Sequence, residues 1–398
     1  MATVVLVGTL DTKGAEYAWL RDRVRELGCD TVLVDTGIGP SDVAADVTAD
    51  EVARAGGTPL DALRDARDRG AAVTAMGEGA AAVLAGMDQV DAVLAVGGSG
   101  GSSIAARAVR DLPIGLPKLI VSTMASGDVT PYVGAKDVTL MYSVVDIAGV
   151  NRVSRLILGN AAAAAAGMAK AYAPPGAEDD RPLVGASMFG VTTPAVDAAR
   201  ERLNELGYEV LVFHATGAGG RALEGLVESG LLAGVLDLTT TELADDLVGG
   251  VLSAGPDRLT AAGKHGIPQV VAPGALDMVN FGPRETVPER FQGRNLYVHN
   301  PTVTLMRTTP EEMAELGRRV ASKLAAATGP AVLFLPLGGV SALDASGMPF
   351  HDPEADAACF AAMEGAVETE RLDMNINDPA FGRAMADRLH RMISEEAR

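Results

Sequence analysis

The sequence predicts an α/β protein made of two doubly wound, Rossmann-like lobes with mostly parallel sheets. Three observations carry that prediction. Short, continuous apolar runs such as Val4–Val7 and Ala92–Val96 alternate with longer amphipathic stretches, as in parallel strands that are covered on both faces by helices. The same succession starts again past residue 180. The junctions from strand to helix are rich in Gly, Ser, Thr and Asp, and open parallel sheets bind ligands at those junctions.

The first element is the run opening "VVLVGTLDTKGAEYAWLRDRVRELGCDTVLVDTGIG", Val4 to Gly39. It reads as strand, small-residue loop, amphipathic helix ending in Leu27-Gly28, second strand and a loop at Thr36-Gly37. "LVGASMFGVTTPAVDAARERLNELGYEVLVFHATGAGG", Leu183 to Gly220, repeats that order, with Leu206-Gly207 and Thr216-Gly217 at the matching places. A glycine just past a helix end accepts the left-handed conformation that stops the helix. "GLPKLIVSTMASGDV" (Gly115–Val129) likewise matches "GIPQVVAPGALDMV" (Gly266–Val279). Between the halves, "YAPPGAEDDRP" (Tyr172–Pro182) reads as a linker. The lobes are therefore residues 1–175 and 180–398, the second enlarged after Pro330. Two domains also suit a chain of 398 residues.

A net charge of −19 argues against nucleic acid and against anionic membranes as partners. A small anionic ligand is still open to it, because a helix N-terminus or a single Lys acts locally. Cys29 and Cys359, the two cysteines, allow no disulfide framework and no Cys-based zinc site. "MATVVLVGTL" reads as a strand rather than a leader. The most membrane-like stretch, Leu156–Ala173, is mostly alanine and carries Asn160 and Lys170, which suits a packed helix. The expected location is the cytoplasm.

The loops at the strand ends hold the candidate chemistry. "GGSGGSS" (Gly97–Ser103) is the strongest: Gly98, Ser99, Gly100 and Gly101 let backbone N–H groups crowd an anion at the N-terminus of a helix over Ile104–Arg110. Ser102 and Ser103 can cap that helix or donate to phosphate. No Gly-Lys-Ser/Thr follows, so it is no Walker A loop, and a merely tight turn is the alternative. "GTLDTKG" supplies Thr9, Asp11, Thr12 and Lys13, with Lys13 either a phosphate partner or a surface pair for Glu16. "STMASGD" offers Ser126, Gly127 and Asp128, which could equally be helix caps. In the second lobe "HATGAGGR" holds His214, an acid–base candidate or a hydrogen-bonded structural residue. "DLTTTEL" holds Asp237 and Glu242, and "ALDMVNFG" holds Asp277 and Asn280. "YVHNPTVTLMRT" contributes His299, Asn300 and Arg307. No His pair has metal spacing, and Mg²⁺ held by one carboxylate plus phosphates would leave no readable spacing.

Taken together, "GTLDTKG", "VGGSGGS", "STMASGD", "NRVSRLILGNAA", "HATGAGGRALE", "GVLDLTTTELAD", "GALDMVNFG", "HNPTVTLMRT" and "GGVSALDASGMPFHDP" give the chain a resemblance to a known family. It resembles the ATP-binding domain family named after the tomato tobamovirus-resistance protein, whose bacterial members are uncharacterised. The resemblance covers nearly the whole chain. It implies an N-terminal nucleotide-binding lobe, a second α/β lobe and a homodimer. It also implies ATP at Thr9, Thr12, Lys13, Thr36, Gly37, the loop Gly97, Gly98, Ser99, Gly100, Gly101 and Ser102, and the loop Thr123, Ser126, Gly127 and Asp128.

The resulting expectation is a cytoplasmic protein that binds ATP, with Mg²⁺ as a companion. It uses the nucleotide on a small acidic substrate in a cleft between the lobes, with His214, Asp237, Glu242 and Asp277 as catalytic candidates. A non-catalytic nucleotide sensor or interaction module is the competing reading. An ATP-independent enzyme of acyl or carbon–carbon chemistry is the third.

Overall fold

A computed structural model describes residues 1–173 and 181–396. The chain divides into two compact units, Met1–Gly176 and Ala177–Arg398. Most of the linker read at Tyr172–Pro182, namely residues 174–180, lies outside the described residues.

The N-terminal unit runs β1 (Thr3–Gly8), α1 (Leu10–Glu26), β2 (Asp30–Asp35), α2 (Ala49–Ala55), α3 (Leu60–Ala66), α4 (Arg69–Ala85), β3 (Ala92–Gly97), α5 (Ser99–Val109), β4 (Lys118–Ser122), α6 (Thr130–Val133), β5 (Val138–Tyr142) and α7 (Arg152–Ala171). Its five strands pair in parallel in the order β2-β1-β3-β4-β5. Alternation along each strand divides the apolar residues between two cores. Val5, Val7, Val93, Ala95 and Ile120 pack against α2, α3, α4 and α5. Val4, Leu6, Leu94, Val96 and Val121 pack against α1 and α7. The alanine-rich stretch near residue 160 is thus a packed helix, with Leu158, Ala161, Ala162, Ala165 and Ala166 buried. Among the described residues no helix is long and apolar enough to cross a membrane.

The C-terminal unit begins with β6 (Leu183–Met188), α8 (Thr193–Glu205), β7 (Glu209–His214), α9 (Ala218–Glu228), β8 (Gly234–Thr239), α10 (Glu242–Val248), α11 (Ala261–His265) and β9 (Gln269–Gly274). It continues with β10 (Met278–Phe281), β11 (Leu296–Asn300), β12 (Val303–Arg307), α12 (Pro310–Ala325), β13 (Ala331–Pro336), α13 (Pro353–Met363), β14 (Glu368–Leu372) and α14 (Pro379–Glu396). Six parallel strands stand in the order β14-β13-β9-β8-β6-β7. Counted from β6, the first five follow the same succession as the N-terminal sheet, which is the physical content of the internal repeat. The two matching helices also end alike: Leu27 and Leu206 are the C-caps of α1 and α8, and Gly28 and Gly207 follow at φ 79° and 94°.

Two features depart from the sequence reading. The segment from "ALDMVNFG" to "YVHNPTVTLMRT", read as polar loops, forms a small antiparallel sheet, β10-β12-β11. Helix α5 starts at Ser99 rather than near Ile104. Packing of α5 on β3 and α4 outweighs the cost of two glycines in its first turn.

Candidate functional site

In the N-terminal unit β1 leads to α1 on one face of the sheet and neighbouring β3 leads to α5 on the other. Connections that part in this way leave a crevice at the carboxyl ends of the two strands. A cavity of about 480 Å³ occupies that place, within the range of roughly 300–1,000 Å³ usual for small-molecule sites. Thr9, Asp11, Thr12 and Lys13 line it from the end of β1, Thr36, Gly37 and Ile38 from the end of β2, and Gly98–Gly101 from the end of β3. Helix α4 adds Arg69, Val73 and Met76, and α5 adds Ile104.

Gly98 is the extended N-cap of α5 and offers no side-chain cap. The N–H groups of Ser99, Gly100 and Gly101 therefore point out of the first turn without an intrahelical acceptor, while Ser102 N–H donates to Gly98 O at 2.8 Å. The glycines here have different reasons to exist. A Cβ on Gly97 would lie 2.8 Å from Gly101 Cα, so the turn itself demands glycine. A Cβ on Gly98 or Gly100 would make only ordinary contacts, at 3.8 Å to Thr123 Oγ1 and 3.6 Å to Arg69 Nη2 respectively. The fold does not require glycine at 98 and 100.

Lys13 interrupts the first turn of α1, with φ −133° and ψ 26°. Its Nζ donates to Ile147 O at 2.7 Å, and the suggested partner Glu16 instead accepts from Gly149 N–H at 2.6 Å. Lys13 thus holds the segment ahead of α7 while lining the cavity. Asp11, also on the cavity wall, accepts from Gly39 N–H at 2.8 Å through Oδ2, whereas its Oδ1 is buried without a partner, as is Thr36 Oγ1. A Cβ on Gly37 would lie 2.6 Å from Asp11 Oδ1. Asp35, next to both, has its pKa raised by burial and by the Asp11 charge, against the N–H groups of Gly37 and Leu10.

Other residues expected at this site are turned elsewhere. Ser102 is fully buried, bonded to Gly97 O and, at 2.6 Å, to Ser122 Oγ. It ties α5 to β3 and β4 instead of facing the cavity. Thr123 borders Gly98, but Ser126, Gly127 and Asp128 are exposed and do not line the cavity. Asp128 accepts from Thr130 N–H, the first residue of α6, at 3.0 Å.

The four catalytic candidates of the C-terminal unit do not converge. Asp237 and Glu242 come together, but around a buried cation. Arg258 forms a bidentate pair with Asp237 (2.5 and 2.6 Å), a 2.6 Å bond to Glu242 Oε2 and a 3.2 Å bond to Glu224. Arg258, Asp237 and Glu242 are all at most 1% exposed. The void beside Asp237 is about 10 Å³, room for one water at most. Glu242 Oε1 also accepts from Gly217 and Gly220 N–H, at 2.6 and 3.0 Å. The glycine turn of "HATGAGGR" therefore has its anion already, supplied by the chain. His214 is exposed at the end of β7. Asp277 belongs to a third group: it accepts from Ser341 Oγ at 2.8 Å, and burial, then the Asp344 charge, push its carboxyl up to about 7.

Sequence reasoning missed Arg69 and Arg258. Both stand in stretches without a motif, and only the fold brings them to their partners. Among the described residues no group of three or more His, Cys, Asp or Glu side chains could hold a metal ion.

Comparison with known proteins gives a consistent match. Residues 2–174 match the N-terminal domain and residues 181–393 the C-terminal domain of the uncharacterised protein family UPF0261. A UPF0261 protein of Clostridium tetani (strain Massachusetts / E88) is 51% identical over 401 residues, covering 98% of this chain and 99% of that protein. The ToMV resistance protein Tm-1(GCR237) of Solanum lycopersicum is 41% identical over 413 residues, covering 96% of this chain but 55% of the tomato protein. Among solved structures, a putative UDP-N-acetylglucosamine 2-epimerase from Listeria monocytogenes aligns over 93% of this chain and 99% of its own, with 11% identity and a TM-score of 0.26. A likeness that distant carries no functional weight.

Proposed function

The chain belongs to the uncharacterised protein family UPF0261, and from the cavity that its N-terminal domain builds we propose that this unit binds ATP, chiefly through the phosphates. The observation that carries the reading is the open N-terminus of α5, where the fold has no need of glycine at 98 and 100 and Lys13 stands on the cavity wall. Helix N-termini attract phosphate through unsatisfied N–H groups and the helix dipole. Lys13 and Arg69 supply positive charge. Ile38, Val73, Met76 and Ile104 supply an apolar wall for a base. Mg²⁺ would have Asp11, the carboxylate on the cavity wall, as its protein partner in place of the exposed Asp128, and would neutralise phosphate charge.

On this reading the protein uses the nucleotide on a small acidic substrate. Phosphoryl transfer needs mainly positioning and charge neutralisation from the protein. A cytoplasmic location and a homodimer belong to the same proposal. The locked state of Asp237 and Glu242 favours a second reading, a sensor that binds the nucleotide without turning it over. Release of ADP in the presence of a metabolite mixture separates the two.

Lys13→Ala tests the site. Loss of a charge-assisted phosphate contact, about 1.5–3 kcal/mol, is expected to weaken ATP roughly ten-fold or more by calorimetric titration. The unliganded protein loses only the Ile147 contact, so its melting midpoint is expected to fall by a few degrees at most. An unchanged ATP affinity with a lowered midpoint would make Lys13 structural alone.

A further inference from the structure

A second cavity, of about 530 Å³, lies in the C-terminal unit where the chain leaves β13 and enters α13. It adjoins the segment "GGVSALDASGMPFHDP", for which the nucleotide reading has no use. Leu337, Pro353 and Phe360 form its apolar side, and Ser346, His351 and Asp356 bring polar groups to it. Behind Asp356, Arg307 reaches Asp356 at 3.0 Å and Asp344 at 3.3 Å, with Asp277 close enough to feel both Asp344 and Arg307. One guanidinium thus serves three carboxyl groups, and of the three only Asp356 reaches the cavity.

The remaining charges at the wall do not offset that excess. Arg371 is paired with Glu364. His351 Nδ1 lies 3.1 Å from Asp344 O; since a carbonyl only accepts, Nδ1 carries the proton and Nε2 is left as an acceptor in the neutral ring. The cavity therefore presents acceptors and, beside apolar surface, the one carboxyl of the three that a ligand can reach. We propose that it is a second small-molecule site, one that takes a ligand bearing a protonated amine, with Asp356 as the counter-ion and Leu337, Pro353 and Phe360 against the ligand's carbon skeleton. The site is separate from the nucleotide reading and does not depend on it.

Burial, then the charge of Asp344, pushes the Asp356 carboxyl up to about 8. The groups acting on it directly are Asp344 from the preceding segment, Arg307 from β12 and Cys359 on α13 itself, with Asp277 behind Asp344 and Arg307, and His351, Glu364 and Arg371 on the same cavity wall. An amine that pairs with Asp356 must displace that proton, so its binding strengthens as pH rises toward and past 8.

The probes are n-butylamine, 1-butanol and butyrate, titrated calorimetrically into the whole protein without nucleotide. At pH 9 butylamine is expected to bind more tightly than either neutral or anionic analogue. At pH 7 its affinity is expected to be clearly lower, because more of the Asp356 carboxyl is then protonated. Asp356→Asn, which keeps the size and a neutral side chain, is expected to lose the amine preference. Equal binding of butylamine and butanol at pH 9, or an amine affinity unchanged in Asp356→Asn, would overturn the proposal. Should that variant not fold, the comparison of probes on the unaltered protein decides alone.

Discussion

Gly100→Val is expected to abolish nucleotide binding while leaving the protein folded. The new Cβ would meet Arg69 Nη2 at 3.6 Å and Val73 Cγ2 at 3.7 Å, distances of ordinary contact, and the backbone around it leaves the side chain the open cavity to occupy. The branched side chain would stand in the cavity over the first turn of α5 and cover the N–H groups that the phosphates need. Removing glycine from a helix turn also costs nothing in propensity. The unliganded circular-dichroism spectrum and melting midpoint should match those of the parent, with no heat of ATP binding. Gly97→Val is the contrast: its Cβ would lie 2.8 Å from Gly101 Cα, and that variant should fold poorly whatever it binds. Undiminished ATP affinity in Gly100→Val would reduce the glycine loop to a turn.

Arg258→Met should produce the largest loss of stability. Breaking a buried ion pair from one side typically costs about 3–5 kcal/mol, because the remaining charge stays buried. Here two almost fully buried carboxyls and Glu224 would be left. Asp237 would keep Ser187 Oγ, and Glu242 would keep two N–H groups. Burial already raises the Glu224 pKa while Arg258 lowers it, so removing the guanidinium raises it further. A carboxyl raised above its unfolded value stabilises the fold below the unfolded pKa and loses that contribution as pH rises through the folded one. The deficit should therefore shrink as the variant is acidified from neutral pH toward 5. Denaturant titrations at several pH values check both points; a cost under about 1 kcal/mol would show that these charges are solvated rather than locked.

The sheets were legible because most of their strands carry a short apolar run and each first helix ends in Leu-Gly, signals that lie within a few residues of what they specify; β14, reading ETERL, carries no such run. The cavity at the ends of β1 and β3 was legible for the same reason: the strand order places Gly8–Lys13 beside Gly97–Gly101, and ends of neighbouring strands meet. Asp237 and Glu242 were not legible. A carboxylate among threonines reads alike whether it faces solvent or a buried guanidinium, and Arg258 arrives from a stretch that carries no motif. The small sheet β10-β12-β11 escaped because its strands are four or five residues long and carry the Asn, Thr and His that elsewhere mark loops. Arg69 escaped because it is one of several exposed Arg and Asp residues around the start of α4.

The most direct measurement is the melting midpoint of the unaltered protein with ATP, ADP or adenosine at equal millimolar concentration, with and without Mg²⁺. A ligand at about 100 times its dissociation constant adds roughly 2.7 kcal/mol to the folded state. At about 2–4 °C per kcal/mol for a unit of this size, that is a rise on the order of 5–10 °C. ATP and ADP should produce it, adenosine should fall far short, and Mg²⁺ should enlarge the ATP shift through Asp11. Equal shifts with adenosine would make the base the anchor, and no shift with any nucleotide would contradict ATP binding at this cavity altogether.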